Sequence, residues 1–85
     1  YAALLCTDAA GRVIAATNPD LVGRDYSSRK WFRNAAAGRN TLRGPRFSSV
    51  FNRRVVEIAT PIFDPEQPSA VIGGLLGVYE WRHAL

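Results

Sequence analysis

Apolar runs and alternating apolar and polar stretches divide this 85-residue chain, with turn signals between them. Residues 1–7 (Tyr1-Ala-Ala-Leu-Leu-Cys-Thr7) are an apolar run that predicts a first strand. Asp8-Ala9-Ala10-Gly11 has Asp in first place and Gly in last, which suits a type I-based hairpin. Residues 12–17 make the second strand, and Asn18-Pro19-Asp20 breaks regular structure. Thr41 to Pro45 reads as a loop. Arg46 to Phe51 alternates as a third strand with Phe47, Ser49 and Phe51 on one face. Asn52-Arg53 makes the next turn. In a fourth strand, 54–63, Val56, Ile58, Thr60 and Ile62 alternate with Val55, Glu57, Ala59, Pro61 and Phe63. Pro61 has no N–H for a ladder, so that end of the strand belongs at an edge or a bulge. A polar loop, 64–69, then leads to a fifth strand, 70–80.

One segment has helical spacing. Ser27 or Ser28 can cap a helix running to Ala37, and Gly38 is placed to end it in the left-handed conformation. Trp31, Phe32, Ala35 and Ala36 share one arc, with Lys30, Arg33 and Asn34 opposite. Arg29 stands at the edge of the apolar arc. It can lay its stem on the aromatics as a surface arginine, or it can present a fixed, bidentate charge to a carboxylate beside an aromatic wall.

The fifth strand is apolar on both faces, with Val71, Leu75 and Tyr79 on one and Ile72, Leu76 and Val78 on the other. Strands of this kind are covered on both sides. A single short helix covers one face only. The second cover therefore lies outside this stretch, or is supplied by another copy of the chain.

Length allows one domain, residues 1–85, near the lower limit for a self-sufficient core. The formal net charge is +4, and all basic residues but Lys30 are arginine. They are scattered, with Arg53-Arg54 the longest cluster, so they read as a solvated surface and not as a nucleic-acid stripe. A nucleic-acid-binding domain, the more distant alternative, needs aromatics exposed on the sheet among the arginines. Cys6 is the sole cysteine, so no internal disulfide or multi-cysteine metal site can form; a core position on the first strand is expected for it. His83 has no second ligand at useful spacing. Asp8, Asp20, Asp64 and Glu66 sit in turns, and Ser48-Ser49 has no plausible base, which argues against an enzyme. No cofactor or metal is expected. No run approaches the roughly 20 apolar residues that span a bilayer.

The stretch from Thr7 to Gly38, containing Asp8-Ala-Ala-Gly11, Gly23-Arg24-Asp25-Tyr26 and Arg29-Lys30-Trp31-Phe32, resembles the Cache family of bacterial sensor domains, whose fold is PAS-like. With Pro61-Ile62-Phe63-Asp64 downstream, the likeness covers roughly the whole chain. It implies an α+β fold: a five-stranded antiparallel sheet with a helix packed on one face and strand one lying between strands two and five. It implies a piece of a larger receptor of the inner membrane, with this domain in the periplasm or extracytoplasmic space and the membrane segments elsewhere. The output implied is chemotaxis signalling, a histidine kinase or a cyclic-dinucleotide enzyme.

In amino-acid-sensing members an Arg-x-Trp-aromatic stretch binds the ligand carboxylate, which Arg29, Trp31 and Phe32 match. Tyr26, Phe47, Ser49 and Tyr79 complete the ligand-binding set implied here. The family's amine-binding groups are not matched: Phe47 stands where a tyrosine is expected, and Tyr79 where an aspartate is. Glu80 is one residue off and on the opposite face of the strand. A small organic acid therefore fits better than an amino acid, with Arg29 expected between the helix start and the sheet, near Trp31, Phe47 and Tyr79. A homodimer is the expected assembly, and a dimerising spacer without ligand is the nearest alternative.

Overall fold

The computed structural model describes residues 2–49 and 53–80. Five strands and one helix follow in the order β1 (Ala2–Thr7), β2 (Val13–Ala16), α1 (Lys30–Ala36), β3 (Thr41–Ser48), β4 (Arg53–Phe63) and β5 (Val71–Glu80). They form a small α+β domain whose single sheet has the order β2-β1-β5-β4-β3, with every pairing antiparallel. Strand β1 lies between β2 and β5, as expected. The doubly apolar β5 takes the central place, where both neighbours satisfy its backbone.

Register separates the two faces. Ala3 pairs with Val78 and Leu5 with Leu76 across β1–β5, while Glu57 pairs with Val78 and Ala59 with Leu76 across β4–β5. Directly paired residues share a face, and this set is buried together with Val55, Val13, Trp31, Phe32 and Ala35. Helix α1 covers this side. Trp31 and Ala35 reach down to Gly74, where an added Cβ would stand 3.4 Å from Trp31 Cζ3 and 3.5 Å from Ala35 Cβ. Leu4, Ile58, Leu75 and Tyr79 occupy the other face and are exposed. Cys6, expected in the core, pairs with Leu75 and is half-buried instead. Strand β1 gives its other alternate positions, Ala3, Leu5 and Thr7, to the helix side.

The β1–β2 hairpin is closed by Asp8. Its Oδ1 accepts the N–H groups of Ala10 (2.9 Å) and Arg12 (3.0 Å), and Gly11 adopts φ 90°. The Gly11 carbonyl then accepts the Tyr26 N–H at 2.8 Å. The approach is so close that a Cβ on Gly11 would fall 2.7 Å from Ser27 Cα. This contact seats the loop that delivers the helix.

Neither Ser27 nor Ser28 caps α1. Asp25 accepts the Ser27 N–H at 2.8 Å, and Arg29 N–H donates to Tyr26 at 3.0 Å. A turn thus occupies residues 26–29, and the helix begins later, with Arg29 at the N-cap and no side-chain cap bond. The other end follows expectation. Gly38 has φ 83°, and the N–H groups of Gly38 and Arg39 donate back to Ala35 and Asn34, both at 2.9 Å, as in a Schellman close.

Strand β3 corrects the expected loop over Thr41–Pro45. The chain is already paired there, Thr41 with Ala59 and Arg43 with Glu57, and the register slips between Arg43 and Arg46. One extra residue in a strand is a β-bulge. Without it Arg43 and Arg46, three apart, would face opposite sides; with it both face the helix side. Gly44 allows the bulge: φ is 123°, and a Cβ there would meet the Val55 carbonyl at 2.7 Å. Pro61 behaves as expected, since β3 starts opposite Ala59 and leaves Pro61 paired only with Gly74 of β5. The expectations for Phe51, the turn at Asn52 and the segment from Trp81 to Leu85, His83 included, lie outside the described residues.

Candidate functional site at the helix start

The turn at 26–29 and the first turn of α1 bring four of the seven expected ligand residues together. Tyr26, Trp31 and Phe32 are buried. The Trp31 ring meets Tyr26 at 6.1 Å and 79°, and Phe32 at 6.1 Å and 87°, both edge-on, an arrangement that aromatic quadrupoles favour. The Arg29 guanidinium carbon lies 5.4 Å from the centroid of the Tyr26 ring, within cation–π range.

Arg29 does not enter the space between helix and sheet. It is exposed, because the turn at 26–29 places it at the N-cap, on the outer side of the Tyr26 ring. Its guanidinium has no carboxylate partner among the described residues. The Tyr26 hydroxyl is buried and makes no hydrogen bond among the described residues. Asp25, at the same corner, is held below the ordinary carboxylate value. The Ser27 hydroxyl is the main cause, followed by the Ser27 N–H and, more weakly, the charge of Arg12.

The other three expected residues lie elsewhere. Tyr79 pairs with Val56, and Phe47 with Arg54, so both stand on the open face and are largely exposed, separated from Trp31 by the sheet itself. Ser49 is exposed in the turn after β3. A pocket formed jointly by Arg29, Trp31, Phe47 and Tyr79 is therefore ruled out by strand parity. Glu80, not Tyr79, shares the helix side with Val78 and Leu76.

Sequence reading missed a charged pair on that side. Glu57 is buried among apolar residues, and Arg46 Nη2 donates to its Oε1 at 2.9 Å. The Arg46 Nε is also buried and has no partner among the described residues. Glu57 interrupts an otherwise apolar alternating set, Val55, Ala59 and Pro61, and that interruption is the signal that was there to find. Nothing in the sequence indicated the bulge that turns Arg46 toward it.

Comparison with known protein families gives no match, and no characterised protein matches the chain in sequence. No group of three or more His, Cys, Asp or Glu among the described residues could hold a metal ion. No helix among them is long and apolar enough to cross a membrane.

Proposed function

We propose that this chain is a small-ligand-sensing domain of the PAS-like Cache type, the extracytoplasmic part of a bacterial membrane receptor, and that it binds a small carboxylate through Arg29. The observation that carries the reading is the helix-start cluster: a guanidinium over the Tyr26 ring with no carboxylate partner among the described residues, and a buried Tyr26 hydroxyl with no hydrogen-bond partner among them. Such donors favour an anion, and the edge-on rings supply the apolar wall. The strand order with one covering helix is compatible with the fold that the resemblance implies. The missing amine-binding groups favour an organic acid over an amino acid.

A thermal-shift screen of short mono- and dicarboxylates and of amino acids tests this, because a ligand that binds only the native state raises Tm. Arg29→Ala should abolish the shift, and Arg29→Lys should restore it only in part, since lysine lacks the planar fork. Arg46→Lys is the companion variant: it keeps a cation for Glu57 and removes the orphaned Nε. A response lost only in Arg46→Lys moves the ligand to β3. Failure of every acid to shift Tm removes the sensing reading. The open apolar face favours a second reading, a dimerising spacer of such a receptor.

A further inference from the structure

The sheet face opposite α1 carries a pattern centred on one residue. Across the strands, pairing aligns Leu42, Ile58, Gly77 and Leu4 in a single row over β3, β4, β5 and β1. Along β5, Leu75 and Tyr79 flank the same glycine. Gly77 is thus a dent with Leu4 and Ile58 on either side and Leu75 and Tyr79 at either end. These side chains, with Thr60, line a shallow groove of about 170 Å³.

Exposure is high: Leu42 73%, Leu4 50%, Tyr79 49%, Ile58 48% and Leu75 38%. Together they expose on the order of 500 Å² of apolar surface, near the top of what the largest patch of a typical monomer shows. Adding Phe47, Val56 and Thr60 brings the face to about 700 Å², within the roughly 600–1,000 Å² that each partner gives to a standard interface. Arg54 is the one charged residue that pairing places on this face among the described residues, and it sits at the margin opposite Phe47. Away from that margin, the face offers a charged partner nothing to pair with.

We propose that this face is the interface of a homodimer, closed by a second copy of the chain in a face-to-face, two-fold contact. The four side chains around Gly77 form a cross. Packing a second sheet face to face in the aligned manner, its strands turned by about 30°, presents the same patch on both copies, as a two-fold contact requires. Leu4 Cδ2 and Tyr79 Cε2 lie 3.5 and 3.7 Å from where a Cβ on Gly77 would stand, so these two side chains lean over the glycine and help make the face one continuous apolar surface. This interface does not depend on whether the helix start binds a ligand.

Cys6 is a built-in reporter, since it pairs with Leu75 on this face and is half-buried. Sedimentation equilibrium of the 85-residue chain should show a monomer–dimer equilibrium between about 1 μM and 1 mM. Over the same range the alkylation rate of Cys6 by iodoacetamide should fall several-fold. Ile58→Lys should abolish both effects. Leu42→Lys, at a position already 73% exposed and so safe for folding, should weaken the dimer by ten-fold or more. A monomer throughout, with Cys6 alkylated at a constant rate, overturns the proposal. So does protection of Cys6 by a single-stranded oligonucleotide at low salt without dimerisation, which would give Phe47, Tyr79 and Arg54 to nucleic acid.

Discussion

Replacing Tyr26 with Phe removes one oxygen and keeps the ring that Trp31 and Arg29 pack against. The hydroxyl is buried and has no hydrogen-bond partner among the described residues, so the wild type carries its desolvation cost, about 1–3 kcal/mol for such a group. The dispersion attraction of a single oxygen atom to its neighbours is worth only a fraction of that. Tyr26→Phe should therefore stabilise the unliganded domain by about 1 kcal/mol, raising Tm by about 4–8 °C at this chain length. The same change should reduce the Tm shift produced by the carboxylate, because a donor to the ligand is gone. Urea unfolding with a shared m-value gives the first quantity, and the thermal-shift series gives the second. A loss of about 1 kcal/mol in the variant would refute the reasoning, since the hydroxyl must then have a partner in the native state.

Three further outcomes follow from the same geometry. Glu57→Ala should cost about 1–3 kcal/mol, below the limit for a fully buried pair because the Arg46 side chain is 36% exposed; a double-mutant cycle with Arg46→Ala should show coupling, and additivity would mean the pair is not formed in solution. Gly11→Ala should destabilise by about 2–4 kcal/mol in urea unfolding, through its positive φ and the clash with the Ser27 backbone, whereas Gly23→Ala should cost only about 1 kcal/mol. At Gly23 φ is 93° but nothing lies within 4 Å of an added Cβ, so equal losses would show that the Ser27 contact is unimportant. Asp25 has a folded pKa below its unfolded value, so its stabilisation is present above the ordinary carboxylate range and lost as pH falls through the folded pKa. The stability difference between wild type and Asp25→Asn should accordingly shrink in acid, and a difference that persists unchanged at low pH would remove the charged hydrogen bonds to Ser27 as its source.

Local chemistry made much of this protein legible from its residues. Asp8 and Gly11 define a hairpin within five residues, Gly38 ends the helix, and strict alternation in 54–63 assigns Val55 and Ala59 to one face and Ile58 to the other. These depend on interactions only a few residues apart along the chain, or on the two-residue period of a strand. The two-sided apolar β5 even indicated a second face in need of cover.

What tertiary structure decided was parity and competition. A bulge permitted by Gly44 turned an expected loop into strand and brought Arg43 and Arg46 to the same side, which no periodicity argument can anticipate because one inserted residue reverses every face after it. Asp25 draws both the N–H and the hydroxyl of Ser27 into the turn before the helix, so Ser27 stands outside α1 and Arg29 takes the N-cap at the surface instead of a place within the domain. Tyr79 and Phe47 are plausible pocket residues when read along a line. The pairing of β3, β4 and β5 sets them on the far side of the sheet from Trp31, because strand order and register, not spacing, determine which side chains can meet.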